Sequence, residues 1–105
     1  MVKKYDVVIF IMSAGPNVHK GNFYETINSI SECIGDVKHK YYIATDTVEM
    51  KKFVFDLFRK SSEIKGSTFR EGDLLEIVHT RESWGHAYNK FFDKYKDEAD
   101  YILYS

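Results

Sequence analysis

Cysteine and proline each occur once in these 105 residues, and glycine only six times. The lone Cys33 cannot close an internal disulfide and leaves no cysteine cluster for zinc. It falls one residue before an apolar helix position, so it reads as a small half-buried packing residue rather than a nucleophile, which wants a basic, exposed setting. So little proline and glycine excludes collagen-like and low-complexity chains. No apolar run approaches the roughly 18 residues that span a bilayer; the longest runs from Val7 to Met12. Two lysines precede that run, and a proline and a polar loop follow it. An export signal has a longer apolar core and small residues at a cleavage point, so a cytoplasmic domain is expected. Nor is there an excess of one charge. Fifteen basic against sixteen acidic side chains give a net charge of -1, with no bulk attraction to nucleic acid or anionic lipid. With 44% apolar residues, the composition also excludes intrinsic disorder.

What the chain has in quantity is aromatic residues, eight Tyr, eight Phe and one Trp. Many fall at helical or strand spacing and are expected in the core. Tyr5 to Met12 is continuous rather than alternating, apolar without a break from Val7, and rich in β-branched residues, as in a parallel strand covered on both faces. Gly15, Pro16, Asn17 and Gly21 then mark a loop. Asn22 reads as a helix cap with Glu25 three residues on, and Phe23, Ile27, Ile30 and Ile34 form one stripe that Gly35 ends. Tyr41 to Ala44 is a second short strand, preceded by a solvated turn at Lys38-His39-Lys40. Asp46 or Thr47 caps a helix whose apolar face is Met50, Phe53, Val54, Leu57 and Phe58. Residues 61 to 72 read as a polar loop and Leu74 to His79 as a third strand. Ser83 caps a third helix carrying Trp84, Ala87, Tyr88, Phe91, Phe92 and Tyr95, and Tyr101 to Tyr104 is a fourth strand. This βαβαβαβ order predicts a Rossmann-like open parallel sheet of four strands with three crossover helices, one α/β unit over 1–105.

Three helices give thin cover for such a sheet, and the last strand is followed by none. The expectation is therefore the first half of a larger domain, with some of Phe91, Phe92, Tyr95 and Tyr104 packing against the remainder. A homodimer through the exposed sheet edge is a further expectation.

Open α/β sheets bind ligands beyond the carboxyl ends of their strands. Three segments of this chain lie there. Ser13, Ala14 and Asn17 follow strand one, where backbone amides and short polar side chains can meet a nucleotide or phosphate. The loop lacks the three spaced glycines of a dinucleotide fingerprint and the Lys-Ser/Thr of a P-loop; a plain turn is the structural alternative. Asp46 follows strand two; its carboxylate can accept from a ribose hydroxyl or a base N–H, or simply cap the helix. Arg81, Ser83 and His86 surround the start of helix three, a setting that favours an anion such as a diphosphate. Gly85 in that first turn costs roughly 1 kcal/mol against alanine, which suggests close backbone approach. Asn89 can face inward or reach a ligand, and Trp84 is expected in the core. His19, His39 and His79 are dispersed, with no metal-ligand spacing and no Ser-His-Asp arrangement. No basic stripe interleaves with the aromatics, so single-stranded nucleic acid is not an expected partner.

Asn22 to Ile34, Tyr41 to Asp46, Trp84-Gly85-His86-Ala87-Tyr88-Asn89 and Asp100 to Tyr104, taken in this order, resemble the first half of a family 2-type glycosyltransferase, the nucleotide-sugar-binding part of the GT-A fold. The resemblance implies a donor nucleotide-diphosphate sugar, uridine-based among the candidates, and transfer of its sugar to an acceptor saccharide hydroxyl. It places the nucleotide at Ser13, Ala14 and Asn17, the base or ribose at Asp46, and the diphosphate near Gly85, Ala87 and Asn89. The family's Asp-x-Asp, which holds Mg²⁺ or Mn²⁺ on the donor, would fall just past Ser105. The cation is thus expected only in a longer protein, and the 105-residue chain is expected to be inactive alone. This sequence has Ser13-Ala14-Gly15-Pro16-Asn17 where the family has Pro-Thr/Ser-Tyr-Asn, a single acid at Asp46 where it has two, and Phe91 where it commonly has glycine.

Two other readings compete. One is a non-catalytic nucleotide-binding α/β module, complete at this length. The other is a receiver- or flavodoxin-like signalling domain. It ranks last, because Asp6 is at the wrong end of strand one and Ser13 is not acidic.

Overall fold

The computed structural model describes residues 4–13, 20–35, 37–81 and 83–104, with residues 13, 20–22 and 84 described as backbone only. Four strands, β1 (Tyr5–Ser13), β2 (His39–Thr45), β3 (Leu74–His79) and β4 (Ala99–Tyr104), alternate with three helices, α1 (Lys20–Ile34), α2 (Val48–Arg59) and α3 (Trp84–Tyr95). The sheet is parallel throughout, in the order β3-β2-β1-β4. The expected open α/β sheet is therefore what the chain forms.

Strand alternation divides the core in two. Val7, Ile9, Ile11, Tyr41 and Ile43 face α1 and α2, where Phe23, Ile27, Met50, Val54 and Phe58 meet them. Val8, Phe10, Tyr42 and Ala44 face the other way, onto Ala87, Phe91 and Tyr95 of α3. Both faces of β1 and β2 are covered, which is why these strands read as unbroken apolar runs. The first two crossovers share one face and the third takes the other, so the chain reverses direction across the sheet between β1 and β4.

Several local expectations hold for stated reasons. Gly35 adopts φ 66°, the left-handed conformation that ends a helix at little cost only for glycine. Its N–H donates to the Ser31 carbonyl at 3.2 Å. Thr47, rather than Asp46, caps α2, its hydroxyl accepting from the Met50 N–H at 3.0 Å. Ser83 caps α3 in the same way, accepting from the His86 N–H.

Others need correction. Asn22 does not cap α1, because the helix begins at Lys20 and places Asn22 in its first turn. Residues 39 and 40 are the start of β2 rather than a turn. The sheet extends to them because Val7 and Val8 pair with them. Cys33 is exposed, not half-buried. The segment between α2 and β3 is not a uniformly polar loop. Two short 3-10 turns punctuate it, Ser61–Glu63 and Glu71–Asp73, and Phe69, which lies between them in sequence, is fully buried against Tyr24 of α1 and Phe58 of α2. Phe91 and Tyr95 are buried within this chain, under α3, so they are not held back for another unit. Phe92 and Tyr104 remain exposed. Among the described residues no helix is long and apolar enough to cross a membrane.

Candidate functional site

Tyr95 meets Tyr5 at the start of β1, with ring centroids 6.2 Å apart, while Tyr88 meets Phe10 further along at 5.5 Å. α3 therefore runs antiparallel to β1, and its N-terminus stands at the carboxyl end of the sheet. The ends of β2 and β3 are tied together at the same rim. The Thr80 N–H donates to the Thr45 carbonyl at 2.8 Å, and the buried Thr45 hydroxyl donates to the Val78 carbonyl at 2.9 Å. The His79 Nε2–H donates to the Asp46 carbonyl at 3.2 Å. With its backbone held this way, Asp46 is fixed beside residue 79 with its side chain half-buried.

Between β3 and α3 this rim encloses a cavity of about 330 Å³, lined by Tyr42, Val78, His79, Thr80, Ala87 and Lys90. That volume is at the small end of ligand sites. It suits one ring or one anionic group rather than a whole nucleotide sugar. Burial, and then the nearby Glu76 carboxylate, push the Tyr42 hydroxyl above its usual value, so it stays protonated and able to donate. The lining thus combines the apolar Val78 and Ala87 with the hydroxyl-bearing Tyr42 and Thr80 and the basic Lys90.

A second group locks the cavity wall. Glu76, whose neighbour across the sheet is Tyr42, accepts from Lys94 Nζ at 2.8 Å and from the Tyr95 hydroxyl at 2.7 Å. Partial burial alone would raise the Glu76 carboxyl. The bonds from Lys94 and Tyr95 outweigh it and hold the group below its ordinary value. This triad pins α3 to β3 and sets the width of the cleft between them.

The sequence-derived candidates are distributed as follows. Asp46 lies on the rim described above. Arg81 and His86 are exposed, on either side of Ser83, whose hydroxyl shares a hydrogen bond with His86 Nδ1 at 3.3 Å. Gly85 and Asn89 sit four residues apart on one exposed face of α3. Asn89 therefore points away from the core that α3 covers, not inward. A Cβ built on Gly85 would meet nothing within 4 Å, so no packing against the described chain demands glycine there, and the space over that first turn is open. Ser13 is the last residue of β1 and is described as backbone only; Ala14 and Asn17 lie outside the described residues, as does the Trp84 side chain.

Tyr42, Thr80 and Lys90 were not among the candidates. Tyr42 falls within the apolar run of a strand, and nothing in residue type singles out Lys90. The available signal for Lys90 was its spacing, four residues after His86 and one turn along the same helix. Among the described residues no three His, Cys, Asp or Glu side chains gather closely enough to hold a metal ion. No family model matches the chain, and neither a curated protein nor a solved structure does, so the fold stands as a Rossmann-like α/β parallel sheet and the function is argued from the geometry of its carboxyl rim.

Proposed function

We propose that this chain binds the nucleoside diphosphate part of a nucleotide-sugar donor, as the donor-binding portion of a glycosyltransferase that moves a sugar to an acceptor hydroxyl. The observation that carries the reading is the convergence of Asp46, the cavity at His79 and Thr80, and the N-terminus of α3 on one rim of a parallel sheet. Each matches one part of such a ligand. The half-buried Asp46 carboxylate accepts from ribose hydroxyls or a base N–H. The cavity has the volume for a single heterocycle, with an apolar wall and hydroxyl donors. The first turn of α3 presents the positive end of its dipole, with Arg81 nearby, which favours an anion.

The reading follows the order of the strands. Base and ribose belong at the β2–β3 side, where Asp46 and the cavity are. In this reading the diphosphate lies where α3 begins, toward the end of β1, after which Ala14 and Asn17 follow in the sequence. The sugar then points to the reversal between β1 and β4, the usual ligand crevice of open α/β sheets. Mg²⁺ or Mn²⁺ on the diphosphate remains part of the proposal for a longer protein; when bound it would neutralise charge on the leaving group.

Titrating uridine diphosphate into the labelled chain while following amide signals tests this. Residues 46, 79–81 and 83–90 are expected to shift together, and Asp46→Ala to weaken the effect by about tenfold, the worth of one charge-assisted hydrogen bond. Millimolar nucleotide that leaves those amides still, or moves only residues at the amino end of the strands, refutes it. Guanosine and cytidine diphosphates in parallel report the base preference. Transfer of sugar by the purified chain alone is not expected, and measurable turnover would overturn that part.

A further inference from the structure

The two edges of the sheet are built differently. β3 carries a charge in its middle, Glu76, held by Lys94 and Tyr95, and a charged or polar edge strand resists pairing with another chain. β4 has no such protection. It pairs only with β1, its outer edge meets no described strand, and its last four residues, Tyr101 to Tyr104, carry no charge. Its exposed apolar surface lies on both faces. Tyr101, 70% exposed, and Leu103 stand on the α1/α2 side, in register with Val7 and Ile9. On the α3 side Tyr104 is 52% exposed. Its ring reaches Tyr88 at 5.2 Å, and Tyr88 stacks on the exposed Phe92 at 6.0 Å.

We propose that a second copy of this chain covers this edge, the two β4 strands pairing antiparallel about a two-fold axis at Ile102 to give one eight-stranded sheet. The strand is self-complementary in that register. Tyr101 of one copy lies opposite Leu103 of the other, and Ile102 lies opposite Ile102, so apolar meets apolar on each face. The single charge, Asp100, falls opposite Tyr104. The two aspartates are then four strand residues apart, about 13 Å, beyond the screening length of about 8 Å at physiological salt. β3 offers no equivalent arrangement, because pairing there would desolvate Glu76. The side chains involved amount to roughly 800 Å² over both copies, at the weak end of specific interfaces. A dimer of that size is weak and concentration-dependent, and the transition is sought between about 5 μM and about 500 μM.

Sedimentation velocity across that range, with hydrogen exchange at both ends of it, tests the proposal. The expected result is a monomer–dimer transition accompanied by slower exchange of β4 amides. Tyr101→Lys, at a side chain already in water, should raise the dissociation constant at least about tenfold while leaving the circular dichroism spectrum unchanged. Leu103→Lys should do the same. A monomer at every concentration overturns the proposal. So does a dimer indifferent to both substitutions, and so does one that slows exchange in β3 instead. Nucleotide titration of the Tyr101→Lys variant keeps this separate from the proposed ligand site, which lies on other strands.

Discussion

Phe69 belongs to a stretch rich in Ser, Thr, Lys and Gly, where substitutions ordinarily change stability by less than about 0.5 kcal/mol. The structure predicts otherwise. Its side chain is fully buried, with the Phe58 ring 5.0 Å away and the Tyr24 ring 5.9 Å away. It thus joins α1 and α2 to the segment that leads into β3. A buried phenylalanine removes about 200 Å² from water. At about 25 cal/mol per Å² that is worth about 5 kcal/mol, an upper figure because the unfolded chain already shields part of it. Truncation to alanine at such sites costs about 3 to 5 kcal/mol. The segment cannot readily collapse to fill the void, since Asn28 fixes it from outside. Asn28 Oδ1 accepts from both the N–H and the hydroxyl of Thr68 at 2.7 Å. Phe69→Ala is therefore expected to lose about 4 kcal/mol, lowering Tm by about 20 °C and the urea midpoint by about 2 to 3 M. Urea unfolding followed by circular dichroism measures it, with Phe55→Ala, at an exposed position of α2, as a control expected within about 0.5 kcal/mol of the parent. A loss at Phe69 below about 1 kcal/mol would mean that the residue is not a core anchor and would refute the reasoning.

Two predictions concern pH. Glu76 titrates below its ordinary value of 4.5 in the folded chain. Its ionised form therefore contributes stability that is present above that value and is lost as pH falls through the folded one; Glu76→Gln should flatten the decline expected in acid titrations of stability as pH falls below 4.5, and an unchanged profile would count against the triad. Tyr41 behaves oppositely. Burial, only partly offset by the hydroxyl of Ser31 at 2.7 Å, pushes it from 10.0 up to about 12, so the folded state holds its proton more tightly than the unfolded chain. That stability is complete below pH 10 and falls away as pH rises toward 12. Tyr41→Phe should shift alkaline unfolding to higher pH, even though it leaves the Ser31 hydroxyl without its partner at neutral pH.

Where the sequence was legible, the reason was periodicity. Ile27, Val54 and Phe91 each sit at the centre of a stripe that only a helix produces, and Val7 to Ile11 is an unbroken run that only a strand covered on both faces tolerates. Alternation of the two dictated the parallel sheet, and the carboxyl ends of its strands then selected Asp46 and residues 79 to 86 as the place to look. What periodicity does not carry was misread. His39 and Lys40 are polar by type, and they are strand residues because Val7 and Val8 lie beside them, a fact of the neighbouring chain rather than of their own. Phe69 shares its polar stretch with one other apolar residue, Ile64, five positions away, a spacing that defines neither a helix nor a strand face, so only its packing against α1 and α2 explains it. The same holds for the cavity. Tyr42, Thr80 and Lys90 come from three elements with no fixed spacing between them, and their meeting depends on how far α3 stands from β3, a distance set by Glu76, Lys94 and Tyr95. The aromatic surplus shows the limit most plainly. Phe91 and Phe92 are adjacent and chemically identical, and one turn of 100° puts the first under Phe10 and Tyr42 and leaves the second facing solvent beside Tyr88. Composition alone does not say which of the two awaits cover. Only the exposed one, with Tyr101, Leu103 and Tyr104, is left to be covered, and all four gather at the unprotected edge of β4.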